Sequence, residues 1–116
     1  MTNENGGGRR RLAGLSSSAR RLLEYAAVFE GGARYAVLRR LARAPEPDMV
    51  ADLREVVEAG ILAARPGQPD TYHFTDDAVR AAVLAEAGEH RVAQLRARVE
   101  AAGWGADAPA AAEDER

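Results

Sequence analysis

The stretch TYHFTDDAVRAAV, residues 71–83, changes its pattern halfway and thereby decides the fold. Its first part alternates, so that Tyr72 and Phe74 fall on one face of an extended chain and His73 on the other. From Asp76 onward the apolar residues recur at helical spacing. The pattern predicts a strand that runs directly into a helix, with acidic residues at the helix start, where the helix dipole favours negative charge.

The residues before this stretch complete a β-hairpin. Residues 61–65 are typical of a strand, and residues 66–70, PGQPD, are dense in turn formers. Two strands alone are barely stable in water, so we expect the aromatic face of the hairpin to lie on helices.

Three short helices are predicted ahead of the hairpin. The first begins at Ser16, a good N-cap, and ends at Gly31-Gly32. The second carries arginines on its polar side, and the third begins near Pro47 and stops at Gly60. Their apolar stripes are Leu22, Ala26 and Phe29 in the first, Tyr35, Leu38 and Leu41 in the second, and Met49, Leu53, Val56 and Val57 in the third.

Two more helices follow, bearing Val79, Val83 and Ala87, then Val92, Leu95 and Val99, on either side of Gly88. The fold class is therefore a mostly α winged helix-turn-helix, three helices plus a hairpin wing, followed by two further helices. We divide the chain into a flexible lead (1–14), the winged helix-turn-helix (15–75), a C-terminal helical pair (76–102) and a disordered acidic tail (103–116).

Composition excludes several function classes. The chain has 116 residues, no Cys and two His, which leaves no disulfide framework and no conventional structural zinc site. No apolar run approaches the ~20 residues that a membrane span needs, and the polar N-terminus has no signal-peptide core. We expect a soluble cytoplasmic protein without cofactor or metal.

Four ordered segments, LSSSARRLLEYAAVF, LREVVEAGIL, YHFTDDAVRAAV and HRVAQLRARVEAA, carry a family resemblance. Together they resemble the winged-helix segment after the nucleotide-binding module of STAND-class NTPases, as in large LuxR-type bacterial transcriptional regulators. The resemblance covers roughly residues 15 to 102 and includes Val79 and Arg80. It implies a winged helix that packs on a nucleotide-binding module and holds its resting state, while a separate domain reads DNA. It also implies His where Asp76 stands, and a carboxylate repels phosphate.

The nucleotide-binding module itself is absent from the sequence. There is no G-x-x-x-x-G-K-[ST] phosphate loop and no Lys, so a nucleotide would be held by a partner or by another part of a longer chain. Ser16, Ser17 and Ser18 lie at a helix start without a neighbouring base, so we do not predict an enzyme.

Two functions remain open. We prefer a protein-interaction module whose partner contacts the wing and the junction after it, through Tyr72, Phe74, Asp76, Val79 and Arg80. The alternative is a small DNA-binding transcription factor that uses two arginine groups, Arg9, Arg10 and Arg11 in the lead and Arg39, Arg40 and Arg43 on the second helix. For Arg9, Arg10 and Arg11 a solubilising tail is the plainer interpretation. For Arg39, Arg40 and Arg43 a solvated helix surface or a contact with an acidic partner explains the pattern equally well.

The charges of the third helix argue against DNA binding. In a DNA-reading winged helix it would lie in the major groove, yet its polar positions hold four acids against one base: Asp48, Asp52, Glu55 and Glu58 against Arg54. Affinity for DNA comes mostly from Lys and Arg that neutralise phosphates.

Overall fold

A computed structural model of the protein describes residues 12–103. The chain is mostly helical, with one small antiparallel sheet. In chain order the elements are α1 (Ser17–Ala27), β1 (Ala33–Arg34), α2 (Tyr35–Ala42), α3 (Glu46–Glu58), β2 (Leu62–Arg65), β3 (Gln68–Phe74), α4 (Asp77–Ala87) and α5 (Glu89–Ala101). Residues 1–11 of the predicted lead, which include the arginine run, lie outside the described residues. The predicted tail lies outside them from residue 104 onward.

The sheet has the strand order β1-β3-β2, so that β3 is paired on both sides. Tyr72 stands opposite Ala33 of β1 and Ala64 of β2. The predicted hairpin is present, but its turn is shorter than expected, because β3 already begins at Gln68, and the register shifts between Ala64 and Arg65. Strand β1 was not predicted, since two residues are too few to show an alternating pattern.

The glycine pair after α1 does not end that helix, contrary to the sequence-based expectation. Helix α1 ends at Ala27, and Phe29, assigned to its stripe, lies beyond it. Gly32 instead permits the approach of β3: its φ is 132°, and a Cβ there would lie 3.0 Å from the Thr71 side chain. The constraint on Gly32 is therefore sheet packing, which no local pattern reveals.

Helix α1 is the centre of the core. Six of its eleven residues are buried: Ala19, Leu22, Leu23, Tyr25, Ala26 and Ala27. Helices α2, α3 and α4 and strand β3 all pack on it. Leu12, placed in the lead by the sequence, is only 2% exposed and belongs to this core. Ordered packing thus begins before residue 15.

The start of α1 is tied to α3 by side-chain hydrogen bonds. Ser16 caps the helix as predicted, accepting from the Ala19 backbone N–H at 3.2 Å. Glu55 accepts from the backbone N–H of Ser16 at 2.8 Å and from its hydroxyl at 2.9 Å. Ser18 donates to Asp52 at 2.8 Å. Asp52 and Glu55 of α3 are therefore held at the N-terminus of α1, where unpaired N–H groups and the helix dipole favour anions.

The apolar stripe of α3 is narrower than expected. Met49, Leu53 and Val56 are buried, but Val57 is 38% exposed and lies outside the core. Adjacent helical positions point about 100° apart, so burial of Val56 turns Val57 toward the sheet side, together with Val50. The sequence did not distinguish the two neighbouring valines.

Helix α5 docks through two arginines. Arg91 Nε donates to Glu24 at 3.0 Å, and this hydrogen bond raises the pKa of the Arg91 guanidinium above its ordinary value. Arg98 donates to the carbonyl of Leu41 at 3.0 Å. Leu95 and Val99 are buried as expected from their spacing, so the last helix is joined to both α1 and α2.

Tyr35 provides a test of the packing at the start of α2. Its hydroxyl is buried and has no hydrogen-bond partner among the described residues. An unpaired buried hydroxyl costs free energy, so Tyr35→Phe should raise the free energy of unfolding by about 1 kcal/mol in urea titrations. Tyr72→Phe is the matched control and should change stability by less than about 0.5 kcal/mol. Destabilisation by Tyr35→Phe would show that its hydroxyl does have a partner.

Candidate functional site

A pocket lies where the hairpin meets α4, beside the segment that follows α1. We call it the junction pocket. Its volume is about 420 Å³. Its lining consists of Ala26, Phe29, Glu30, Gly31, Gly32, Arg65, Pro66, Tyr72, His73, Phe74, Asp77 and Arg80. The pocket therefore forms at the strand-to-helix joint that the sequence singled out, and residues 26–32 close it from the other side.

Two arginines fix the walls of the junction pocket. Arg80 Nε donates to the carbonyl of Ala27 at 2.9 Å, and Arg65 Nη1 donates to the carbonyl of Gly31. Each bond ties a later element, α4 or β2, to the chain that leaves α1. A guanidinium carries five N–H donors, so each arginine retains donors that no described residue uses.

The remaining charges of the pocket balance these arginines. Glu30 and Asp77 are exposed acids in the lining. His73 is half-buried, and its Nδ1 lies 3.0 Å from the carbonyl of Phe74, a contact that makes Nδ1 the donor. With two arginines and two acids beside aromatic rings, the pocket suits a protein segment of mixed charge better than a polyanion.

The predicted partner-binding residues separate into two groups. Tyr72, Phe74 and Arg80 line the junction pocket, and both aromatic rings also pack against the core. Val79 is 1% exposed and cannot touch a partner, so we leave it out of the surface. Asp76 is exposed but acts as the N-cap of α4, accepting from the Ala78 N–H at 2.8 Å.

Sequence reasoning missed most of the lining, including two charged residues from distant elements, Glu30 and Arg65. Glu30 lies in the connection after α1, and Arg65 ends β2. They line one pocket because β1 and β2 both pair with β3. Arg65 beside Pro66-Gly67 was visible as a charged residue at a turn, but no local pattern pointed to its contact with Gly31.

The arginines of α2 form a second charged surface. Arg39 lies 3.9 Å from Glu46, an exposed pair of little energetic weight. The side chains of Arg40 and Arg43 are exposed, and neither makes a hydrogen bond or ion pair with the part of the chain that is described. Both are therefore available to an anion. The arginine run at residues 9–11 lies outside the described residues.

A shallow groove separates α3 from the sheet. We call it the α3–β3 groove. Its volume is about 570 Å³ and its lining is mostly apolar: Tyr35, Val50, Leu53, Arg54, Val57, Ala64, Asp70 and Tyr72. Val50, 43% exposed, and Val57, 38% exposed, are the exposed large hydrophobic residues of the described chain. Of the five acids on α3, Glu46, Asp48 and Glu58 are exposed, whereas Asp52 and Glu55 are bonded to the start of α1.

The described residues contain no cluster of three or more His, Cys, Asp or Glu side chains able to hold a metal ion. Within residues 12–103, no helix is long and apolar enough to cross a membrane. Comparison of the chain with protein-family models, with curated proteins and with solved structures finds no match.

Arg80 tests how the junction pocket is held together. Arg80→Met removes a charge-assisted hydrogen bond to the last turn of α1 and should lower the free energy of unfolding by about 1.5 kcal/mol. Arg96→Met is the control, since the Arg96 side chain is exposed and makes no hydrogen bond or ion pair with a described residue, and it should cost less than about 0.5 kcal/mol. Equal losses in urea titrations would remove the structural role assigned to Arg80.

Proposed function

We propose that this protein is a non-catalytic winged-helix domain that binds a protein partner, as the STAND-class segment that it resembles does. The order of its elements supports this: three helices precede a hairpin, and two further helices follow. In the resemblance the partner is a nucleotide-binding module, in the same chain or in another, located in the cytoplasm. No cofactor is assigned to this chain itself, since its sequence has no phosphate loop.

The outward face of α3 is unsuited to reading DNA. In a DNA-reading winged helix this face would enter the major groove. Here it exposes Val50 and Val57, with Asp48 and Glu58 near its ends and Arg54 as the basic residue of the helix. DNA affinity requires cations that neutralise phosphates, and a single arginine among acids does not supply them.

The junction pocket carries the proposal, and it is the surface that we assign to the partner. Aromatic residues and arginine dominate binding energy at protein interfaces, and the pocket combines Phe74 and Tyr72 with Arg65 and Arg80. Its walls are fixed by hydrogen bonds to main-chain carbonyls. A partner would therefore meet a preformed site, which reduces the entropy lost on binding.

The second candidate function is DNA binding by α2. It rests on Arg40 and Arg43, whose charges no described residue neutralises. Arg98, bonded to Leu41, adds a further cation near the end of the same helix. The exposed acids of α3 work against it.

Partner binding is tested with a STAND-type nucleotide-binding module whose own winged helix has been deleted. The chain should bind this module in a pull-down and by calorimetry. Arg65→Glu should weaken binding at least about 10-fold, because it removes a cation of the junction pocket and the hydrogen bond to the Gly31 carbonyl. Arg96→Glu, which makes the same charge change outside the junction pocket, should have no effect. Failure of the folded chain to bind would contradict the proposal.

A mobility-shift titration with duplex DNA distinguishes the two functions. We expect no shift at moderate salt. A shift that weakens steeply as salt rises, and that disappears when Arg39, Arg40 and Arg43 are replaced by Ala, would favour the DNA-binding function instead.

A further inference from the structure

We infer that the α3–β3 groove is a self-association surface on which a second copy of this chain docks about a two-fold axis. This surface is separate from the one assigned to the partner. The linings of the groove and of the junction pocket have only Tyr72 in common. The inference therefore does not depend on the proposed function.

The groove leaves apolar surface uncovered. Val50 and Val57 lie two helical turns apart on α3 and are 43% and 38% exposed. Both line the groove, whose opposite wall is formed by Ala64 and Tyr72 of the sheet. Contiguous exposed apolar surface with a polar rim marks interaction sites in soluble proteins.

The rim of the groove carries one charge of each sign. Arg54 lies on α3 between the two exposed valines, and Asp70 lies on β3. Both side chains are exposed, and neither makes a hydrogen bond or an ion pair with another described residue, although they line the same groove. The groove therefore presents an unused cation on one wall and an unused anion on the other.

A second copy would supply an opposite charge to both Arg54 and Asp70. In a two-fold interface every contact occurs twice, so Arg54 of each copy would meet Asp70 of the other. The same axis would bury the exposed Val50 and Val57 of each copy within the interface. One symmetry operation thus covers the apolar surface and pairs both charges.

A polyanion does not fit the same groove. It would meet Arg54 but also Asp70, and the exposed Asp48 and Glu58 of α3 lie on the same helix. A partner of uniform positive charge would leave Arg54 opposed. The charge pattern of the groove is thus complementary to a second copy of itself, but not to a polyanion or to a uniformly positive partner.

Charge reversal tests the inference on the full chain by sedimentation equilibrium over a concentration series. The wild-type chain should be in reversible monomer–dimer exchange. Arg54→Asp and Asp70→Arg should each weaken dimerisation at least about 100-fold, because each homodimer then holds two like-charged contacts. An equimolar mixture of the two variants should dimerise as the wild type does, since both contacts again join opposite charges.

Two further variants serve as controls for the charge reversals. The double variant Arg54→Asp, Asp70→Arg should dimerise with itself, and Arg96→Asp, a reversal outside the groove, should dimerise as the wild type does. Far-UV circular dichroism and the thermal midpoint establish that each variant is folded. A wild-type chain that stays monomeric overturns the inference, as does a dimer insensitive to both single reversals or a mixture that stays monomeric. None of these results bears on binding through the junction pocket, which Arg65→Glu tests separately.

Discussion

The burial of α1 on several sides is the constraint on which the rest of the structure depends. Its buried residues include the adjacent pairs Leu22-Leu23 and Ala26-Ala27, which point in different directions around the helix. A single packed neighbour covers only one stripe of a helix, so α1 needs several. Helices α2, α3 and α4 and strand β3 each shield a part of it. Full burial of one leucine stabilises the fold by about 1.5–3 kcal/mol. Each element that covers α1 therefore contributes to the stability of the domain.

Polar ties at the two ends of α1 give these neighbours their orientation. Glu55 and Asp52 of α3 lie at its N-terminus, and Arg80 of α4 donates to the carbonyl of Ala27 at its other end. Anions at the N-terminus and a cation at the C-terminus both follow the helix dipole. Charges that looked available for function in the sequence are thus part of the architecture. The acids left exposed on α3 are Glu46 and Asp48 in its own first turn and Glu58 at its last residue.

The centre of the sheet connects the two surfaces that we assign to binding. Tyr72 is paired through β3 with both neighbouring strands and lines the junction pocket as well as the α3–β3 groove. Its backbone is therefore held on both sides. The junction pocket is closed by the chain after α1, whereas the groove is closed by α3. Two partners, a regulatory module and a second copy, would accordingly use different elements of one small domain.

The sequence by itself determined the elements whose signals are local. Ser16 caps α1 by its own hydroxyl, acidic residues stand at the start of α4, Gly88 separates α4 from α5, and residues 71–74 alternate as a strand. These features involve residues a few positions apart, so composition and spacing suffice to predict them. The same local information placed Tyr72, Phe74 and Arg80 near one another, because strand and helix are continuous there.

Only the tertiary structure decided the features that join distant parts of the chain. Strand β1 forms by pairing with the edge of β3. Position 32 requires glycine because a Cβ there would lie too close to the Thr71 side chain. Val56 and Val57 have equal hydrophobicity, and packing on α1 chose which one is buried. Tertiary packing likewise places Glu30 and Arg65 in the lining of the junction pocket and buries Val79. Burial is a property of what the rest of the chain covers, and a residue's own neighbours in sequence do not specify it.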